Sequence, residues 1–343
     1  YYSPGVAAVS SLIAEHPDQL RHYTWTNNLV AVISNGSAVL GLGNIGPKAA
    51  MPVMEGKSLL FKKFANIDSV PIVLNATTAD EIVAAVTAIA PSFGAINLED
   101  IAAPICFEVE ERLKAQLDIP VFHDDQHGTA IVTLAGIINA LKVKKTLRIE
   151  DARICIVGAG AAGNAIALLL HKYGAKDIVV VDSKGIISTQ RTDLDDKKQQ
   201  LAALNQRNRQ GDLTAAVNNA DIFIGVSKAG LLTPELVASM RTQPIIFALA
   251  NPTPEIMPDL AKQAGALIVA TGRSDFPNQI NNAVAFPGIF RGALDNNVTG
   301  ITDDHKIAAA EAIAALVEQP SADEIIPSVF NEKLVPAIAR VIK

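Results

Sequence analysis

The stretch RICIVGAGAAGNAIALLLHKYGAKDIVVVD, which covers residues 153–182, decides the fold class. Its apolar, β-branched ends predict strands over 153–157 and 178–182, and its alanine- and leucine-rich middle predicts a helix over 161–174. Two parallel strands joined through a helix form a βαβ unit. Continuously apolar strands of this kind suit a sheet that is buried on both faces.

The loop between the first strand and the helix, GAGAAG, fits the pattern G-x-G-x-x-G. In a dinucleotide site Gly158 would permit the tight turn, Gly160 would let a pyrophosphate approach the backbone, and Gly163 would let helix and strand pack closely. Asp182 follows about 20 residues later, where an acidic side chain accepts hydrogen bonds from the adenosine ribose. The alternative is an ordinary glycine-rich turn between strand and helix.

The rest of the chain continues this alternation, which predicts an α/β fold. A length of 343 residues suits two domains, a Rossmann-type doubly wound parallel sheet and a second α/β domain completed by C-terminal helices. We expect the active site in the cleft between them. Further strands are predicted over 29–34, 37–42, 71–75, 94–98, 120–122, 221–226, 244–249 and 266–271, and helices over 80–90, 129–142 and 305–318, with a polar loop over 123–128.

Composition excludes several classes of function. The 35 acidic residues outnumber the 29 basic ones and give a net charge of −6, which argues against a nucleic-acid partner. Mean hydropathy is +0.27, but no segment approaches the run of about 18 apolar residues that a membrane span needs. Cys106 and Cys155 lie in apolar surroundings without CxxC spacing, which predicts reduced, buried thiols in a cytoplasmic protein. The chain opens at Tyr1 rather than methionine, so we expect residues upstream.

Two pairs of carboxylates follow predicted strands, Glu99–Asp100 after GAINL and Asp124–Asp125 after PVF. Ligands of open α/β sheets bind where strands end, and converging carboxylates suit Mg²⁺ or Mn²⁺. Alternatively, the second pair caps a helix that begins near Gly128 and the first lies in a solvated loop. His123 and His127 lack the further ligands of a zinc site, so a hydrogen-bonding role is preferred.

Seven segments besides the glycine loop match the motifs of one family in the family's order. They are YSPGVA (2–7), VLGLGNIGPKAAMPVMEGKSLLFKKFA (39–65), INLEDI (96–101), FHDDQHGTA (122–130), VVDSKG (180–185), ALANPTPE (248–255) and INNAVAFPG (280–288). Together they resemble the malic enzymes, in particular the short bacterial-type subunit. The resemblance implies oxidation of (S)-malate with NAD or NADP and Mg²⁺ or Mn²⁺, then decarboxylation of oxaloacetate to pyruvate and CO₂. It also implies a homodimer.

The same resemblance implies roles for individual residues. Lys57 would be the general base, oriented by Asp124, and Tyr2 the general acid. We expect burial beside a cation to lower the pKa of Lys57 by about three units. Without the resemblance, Lys57 would be interpreted as a surface lysine, and Tyr2 as a residue in a frayed chain end. The metal ligands would be Glu99, Asp100 and Asp125; nucleotide would meet Gly158, Gly160, Ala161, Ala162, Gly163, Asp182, Asn251 and Asn282; and substrate would meet Asn251, Asn281 and Asn282.

Family boundaries would place the substrate and metal domain at 1–124 and 282–343, and the dinucleotide domain at 125–281. NAD is expected rather than NADP, because Asp182 would repel a 2′-phosphate and no arginine follows closely. One departure concerns the substrate: larger members have an arginine where this chain has Ala38, so the group that binds the malate C4 carboxylate is open. These 343 residues do not include the fused acyltransferase-like domain or the N-terminal helical segment of some relatives, so we expect that the chain is trimmed.

Three other functions compete with oxidative decarboxylation. Malolactic conversion, in which NAD stays bound and lactate leaves, uses the same residues, as does oxaloacetate decarboxylation as the main activity. A non-catalytic dinucleotide-binding sensor is disfavoured, because a sensor has no need of Tyr2, Lys57 and the acidic pairs.

Overall fold

The computed structural model describes residues 2–39 and 41–343, and within them ten strands form two sheets. The first sheet has the order β2-β1-β3-β4 and the second β10-β9-β8-β5-β6-β7. The strands are β1 (Leu29–Ser34), β2 (Asp68–Val73), β3 (Ala95–Leu98), β4 (Val121–His123), β5 (Arg153–Val157), β6 (Asp177–Asp182), β7 (Gly185–Ile186), β8 (Ile222–Gly225), β9 (Ile245–Ala248) and β10 (Ile268–Thr271).

Fourteen α-helices within the described residues surround and connect these sheets. They are α1 (Gly5–Glu15), α2 (Leu20–Tyr23), α3 (Gly46–Ala65), α4 (Ala79–Ile89), α5 (Ile105–Gln116), α6 (Asp124–Val143), α7 (Ala161–Tyr173), α8 (Asp196–Leu204), α9 (Leu213–Val217), α10 (Pro234–Ser239), α11 (Pro258–Gln263), α12 (Phe286–Asp295), α13 (Asp303–Ala315) and α14 (Leu334–Val341).

The first sheet is parallel throughout, and its register brings the acidic pairs to one edge. Leu98, the last residue of β3, pairs with Ile33 of β1 and with His123, the last residue of β4. Because parallel strands end at the same edge of their sheet, Glu99 and Asp100 leave β3 beside the start of α6. The predicted convergence of the two pairs is therefore correct.

The second sheet is parallel except for β7, which pairs antiparallel with β6. Val157, the last residue of β5, pairs with Val181 and Gly225, so the glycine loop, Asp182 and the end of β8 share an edge. This arrangement confirms the predicted α/β class with a Rossmann-type parallel sheet. The division at 124/125 and 281/282 stays a prediction.

Helix α6 links the two sheets and packs against α7 and α13. The predicted polar loop over 123–128 is wrong, since α6 already begins at Asp124. Two acidic residues in the first turn suit the positive end of the helix dipole. Gly128 lies inside the helix, where an added Cβ would contact the Asp124 carboxylate and stand 3.0 Å from Cβ of Asn282. Close packing, rather than a turn, explains this glycine.

The predicted strand over 37–42 is also wrong. Gly41 and Gly43 have φ angles of +76° and +74°, in the left-handed region, and the chain folds back so that Val39 pairs with Gly43 in an isolated bridge. Leu40 lies outside the described residues. The remaining predicted strands and helices are present, two of the strands (29–34 and 153–157) with the predicted ends and the others with shifted ends. Both cysteines are free and buried, as predicted.

None of the helices in the described ranges is long and apolar enough to cross a membrane.

Candidate active site

A cluster of three carboxylates lies where β3 ends and α6 begins. Glu99, Asp100 and Asp125 each offer an oxygen atom, and these atoms lie within 4.8 Å of one another. Asp100 adopts a left-handed backbone with φ of 53°, and its N–H donates to Oδ2 of Asp125 at 2.7 Å. Non-glycine residues in this conformation are uncommon and gather at functional sites. An all-oxygen, anionic donor set of this kind fits a hard divalent cation.

Lys57 on α3 lies beside this cluster. Its Nζ is 2.5 Å from Oδ2 of Asp124 and 2.9 Å from Oε1 of Glu99. The Lys57 side chain is only 7% exposed, whereas Lys62 on the same helix is 56% exposed. The interpretation of Lys57 as a surface lysine is therefore wrong, and the structure places it against Asp124 as the resemblance implies.

The charges around Lys57 oppose the expected fall in its pKa. Burial acts to lower the pKa of this ammonium, but Asp124 and Glu99 more than offset that effect and raise the pKa above its ordinary value. The raised pKa belongs to the charges of the chain alone, so the lowering expected beside a cation stays a prediction. Burial raises the pKa of Glu99 well above its usual range. The ammonium group of Lys57 thus balances the negative charge of Asp124 and Glu99, which a divalent cation at the cluster would also balance.

Asp124 and Asp125 do not cap a helix at Gly128. Helix α6 begins at Asp124, and the residue before it, His123, provides no side-chain cap hydrogen bond. Asp124 instead pairs with Lys57, and Asp125 lies in the carboxylate cluster.

Several polar residues that sequence reasoning missed support the cluster. Asn97, fully buried in β3, donates through Nδ2 to Oε2 of Glu99 at 3.0 Å. Glu110 on α5 lies 2.9 Å from Nε2 of His127, which confirms a hydrogen-bonding role for that histidine. Burial lowers the pKa of His127 to about 4, so its imidazole is neutral. A polar residue inside an apolar strand, as in AINL, is the signal that could have identified Asn97.

The glycine loop has the geometry that a dinucleotide site needs. Gly158 has a φ of +115°, a conformation that favours glycine. An added Cβ at Gly163 would collide with the carbonyl oxygen of Gly158, so only glycine lets α7 begin this close to the loop. At Gly160, by contrast, an added Cβ would meet nothing within 4 Å, so its backbone is open to a ligand at the start of α7.

Two cavities adjoin at this loop. One of about 460 Å³ is lined by Gly158, Gly160 and Asp182, and one of about 560 Å³ by Gly160 together with Asp100 and Asp125. The larger cavity brings together, from the predicted site residues, Asp100, Asp125, Gly160, Ala161, Ala162, Asn251, Asn281 and Asn282, and Ala38 also lines it. Residues predicted to bind the nucleotide and two of the cluster carboxylates therefore line one cleft.

Asp182 is surrounded by cations. Arg191 donates to both Asp182 oxygens at 2.7 and 3.1 Å, and Lys198 donates to Oδ2 at 2.8 Å. Partial burial acts against ionisation, but these partners lower the pKa of Asp182 to about 2. The expectation that no arginine lies near Asp182 is therefore wrong. Arg191 follows Asp182 by nine positions in the sequence, yet its guanidinium group contacts the Asp182 carboxylate. The contact could not be predicted because the two residues are not adjacent in the sequence.

Tyr2 is not brought to Lys57 within this chain. Its side chain is 86% exposed, and the described part of the chain provides no hydrogen-bond partner for its hydroxyl. Helix α1, which follows it, buries none of its residues. Of the predicted catalytic residues, the structure therefore joins Lys57 and Asp124 and leaves Tyr2 apart.

Comparison with protein families adds two matches. The model described as "Malic enzyme, N-terminal domain" matches residues 1–114, and "Malic enzyme, NAD binding domain" matches residues 126–341. Together they cover nearly the whole chain.

Similar proteins agree with these matches. A bifunctional malic/malolactic enzyme of Bacillus subtilis is 55% identical over 99% of this chain and 84% of its own length. An NAD-dependent malic enzyme of Geobacillus stearothermophilus is 52% identical over 99% and 72%, and an NADP-dependent malic enzyme of Halomonas elongata is 50% identical over 93% and 75%. The crystal structure of an NAD-dependent malic enzyme from Thermotoga maritima superposes with a TM-score of 0.97 at 48% identity, over 100% of this chain and 91% of that one.

Proposed function

The chain belongs to the malic enzyme family, and from this membership and the geometry of the cleft we propose that it oxidises (S)-malate with NAD and decarboxylates the resulting oxaloacetate to pyruvate and CO₂. One observation carries the proposal: the cavity lined by the glycine loop also contains Asp100 and Asp125, beside the buried Lys57–Asp124 pair. Hydride transfer needs this juxtaposition of nucleotide and substrate sites.

Glu99, Asp100 and Asp125 would hold Mg²⁺ or Mn²⁺, because their oxygens converge within 4.8 Å and form an all-carboxylate donor set. When bound, the cation would polarise the substrate oxygens and stabilise the negative charge that develops as CO₂ leaves. Asn97 orients Glu99 and the backbone of Asp100 orients Asp125, so the chain fixes these side chains before a ligand arrives.

Lys57 would accept the proton of the substrate hydroxyl, and Asp124 would hold its ammonium group in place. The 2.5 Å contact between them fixes Nζ, and Phe286, whose ring centroid lies 4.2 Å from Nζ, closes another side. Because Asp124 and Glu99 raise the pKa of Lys57, this role requires that other positive charge balance those carboxylates first.

The amides Asn251, Asn281 and Asn282 line the same cavity and would contact nicotinamide or substrate. With 1–124 plus 282–343 as one domain and 125–281 as the other, closure of the cleft would exclude water from the reaction. No residue is assigned to bind the malate C4 carboxylate, since Ala38 lines the cavity where larger members carry an arginine.

We further propose that the protein is a cytoplasmic homodimer. Several large apolar or aromatic side chains of the first 25 residues are exposed, among them Tyr2 at 86%, Tyr23 at 54% and Trp25 at 67%. Several large exposed apolar side chains in one segment are the kind of surface that another chain covers. A second copy on this surface would also enclose Tyr2, which an acid catalyst requires.

Replacing Tyr2 tests its role as the acid that protonates C3 of the product. Tyr2→Phe should slow pyruvate formation about 10²–10⁴-fold from malate and from added oxaloacetate alike, because both routes need that proton. Tyr23→Phe, another exposed tyrosine, is the matched control and should keep both rates. Equal rates for wild type and Tyr2→Phe would remove Tyr2 from the chemistry.

NAD is proposed as the preferred nucleotide because Asp182, which lines the cavity beside the glycine loop, would accept hydrogen bonds from the adenosine ribose and repel a 2′-phosphate group. Arg191 and Lys198 neutralise Asp182, so they reduce its repulsion of a 2′-phosphate and make the expected preference for NAD smaller. Relatives that are about equally similar to this chain are named NAD-dependent and NADP-dependent. The test is to measure kcat/KM with NAD and with NADP. A higher kcat/KM with NADP than with NAD would refute the preference.

Asp182→Asn should raise kcat/KM for NADP relative to NAD about tenfold to a hundredfold. The change frees Arg191 and Lys198 for a phosphate, and a hydrogen bond to a charged group contributes about 1.5–3 kcal/mol. Asp193→Asn is the matched control, since Asp193 also binds Arg191, at 2.8 Å, but does not line the cleft. If both variants shift the ratio equally, release of Arg191 alone is responsible.

Malolactic conversion is the second candidate, because the 55% identical relative from Bacillus subtilis bears both names. Oxaloacetate decarboxylation as the main activity is a third, since it uses the same carboxylates. Absorbance at 340 nm with malate, Mn²⁺ and each nucleotide tests the leading proposal. We expect NADH formation that stops on adding a chelator, and absence of NADH with all components present would refute it.

A further inference from the structure

Glu255 is a buried carboxylate that belongs neither to the carboxylate cluster nor to the glycine loop. It has no exposed surface, and no ion pair in the described part of the chain includes it. Burial raises the pKa of Glu255, and backbone N–H donors act against that rise by favouring the charged form. Because burying a carboxylate is costly unless hydrogen bonds hold it, the partners of this side chain indicate its role.

The two oxygens of Glu255 bind two different loops. Oε1 accepts the backbone N–H of Ser227 at 3.0 Å, and Oε2 accepts the backbone N–H of Ala250 at 3.1 Å. Ser227 follows β8, and Ala250 follows the neighbouring strand β9. An ionised carboxylate only accepts hydrogen bonds, so it can receive one such donor on each oxygen. Glu255 therefore joins the loops at the ends of two adjacent strands.

These contacts extend the hydrogen bonding of the sheet past its edge. Where β8 and β9 end, the N–H of Leu249 donates to the carbonyl oxygen of Gly225 at 2.9 Å. The next N–H along this chain segment, that of Ala250, donates to Glu255 instead. Gly225 also makes room for the side chain, because an added Cβ at this position would collide with the carboxyl group of Glu255. The glycine at the end of β8 is therefore explained by Glu255.

Both loops line the cleft that the proposed function assigns to nucleotide and substrate. Ser227 lines both adjoining cavities, and Asn251, the residue directly after the second bound N–H, lines the larger one. The carbonyl oxygen of Val226 packs so closely on Gly158 that a Cβ added to that glycine would lie 2.7 Å from it. The loop after β8 thus adjoins the glycine loop, and the loop after β9 carries Asn251.

We propose that Glu255 is a positioning residue, which holds the loops after β8 and β9 together from behind the cleft and so sets the distance between the glycine loop and Asn251. The inference rests on the proposed function, in which the glycine loop meets the pyrophosphate and Asn251 meets nicotinamide or substrate. Because Glu255 has no exposed surface, it contacts no ligand and acts only through the two loops.

The test compares the binding of two nucleotides, NADH and AMP, to the full chain. AMP has only the adenosine half of the dinucleotide, whereas NADH also reaches the loop after β9. Glu255→Gln places an NH₂ group against one of the two N–H donors, so one loop loses its anchor. We expect the dissociation constant of NADH to rise about 10–100-fold and kcat with malate to fall by a similar factor. The dissociation constant of AMP should stay within about twofold of wild type.

Glu235→Gln is the matched control. Glu235 is an exposed residue of α10, which lies between β8 and β9 in the sequence, and this variant should bind both nucleotides like wild type. A purely structural role of Glu255 would weaken NADH and AMP together, because both need the same sheet. Equal losses for the two nucleotides, or wild-type NADH affinity and kcat in Glu255→Gln, would overturn the inference.

A second variant decides if circular dichroism shows that Glu255→Gln does not fold. Gly225→Ala adds the Cβ that displaces the carboxyl group of Glu255, and the backbone of Gly225 is not in the left-handed region. It should weaken NADH and leave AMP binding unchanged. Affinities that both match wild type, or that both fall equally, would contradict the inference.

The wild-type chain separates this inference from the proposed function. If wild type binds neither NADH nor AMP, the proposed nucleotide site is wrong and the inference fails with it. If wild type binds both nucleotides and Glu255→Gln binds them equally well, only the role of Glu255 is refuted.

Discussion

Lys57→Ala should lose malate oxidation about 10²–10⁴-fold and keep most decarboxylation of added oxaloacetate. Hydride leaves C2 only as the hydroxyl proton is removed, and a general base contributes about that factor, or roughly 3–5 kcal/mol of barrier. Loss of CO₂ from oxaloacetate needs stabilisation of the developing negative charge by the cation that Glu99, Asp100 and Asp125 would hold, and this variant retains those three carboxylates. The measurement is the pair of steady-state rates, from malate and from oxaloacetate.

Two controls accompany this variant. Lys62→Ala removes an exposed lysine from the same helix and should leave both rates near wild type. Removing Lys57 also leaves Asp124 and Glu99 buried without their cation, which typically costs about 3–5 kcal/mol of stability, so NADH binding must show that the variant is folded. An equal fall in both rates, with unchanged Mn²⁺ affinity, would show that Lys57 is not the hydroxyl base.

Asp125→Ala should abolish turnover and leave nucleotide binding nearly intact. The change removes one of three converging carboxylates, whereas the glycine loop and Asp182 belong to the other sheet. We expect no NADH formation above background at a Mn²⁺ concentration that saturates wild type, with NADH binding within about twofold of wild type by fluorescence titration, a change of about 0.4 kcal/mol.

The matched control is Asp304→Ala, which removes an 85% exposed carboxylate from the first turn of another helix, α13. Should Asp125→Ala resemble Asp304→Ala and retain near-normal malate oxidation in chelator-treated buffer, Asp125 serves only the start of its helix.

The alternation of short apolar strands with alanine-rich helices sufficed to predict the parallel second sheet, because a strand buried on both faces needs a continuous apolar run. Two local errors concern glycine, since the prediction ends a loop at Gly128 and runs a strand through Gly41. Gly128 marks close packing inside α6, whereas Gly41 and Gly43 adopt left-handed conformations that end a strand-like apolar run. Spacing alone does not distinguish these uses, because they depend on which residues pack opposite.

The site was predictable where residues follow strands or belong to a motif, as for Glu99, Asp125 and the glycine loop. The supporting contacts were not predictable, because they join residues distant in sequence. Glu110 lies 13 positions before His123, and Arg191 lies nine positions beyond Asp182. The contact between Glu99 and Lys57 was not predictable either, since the burial of two carboxylates against one ammonium group depends on packing between β3, α3 and α6.

The most direct test of the central claim is the stoichiometry of products from malate under saturating Mn²⁺ and NAD, with NADH measured at 340 nm and acids separated by chromatography. Oxidative decarboxylation predicts equal amounts of NADH, CO₂ and pyruvate for each malate consumed, in wild type and in Lys62→Ala, and none of the three in Asp125→Ala. Lactate formed without net NADH would contradict the account and establish malolactic conversion instead.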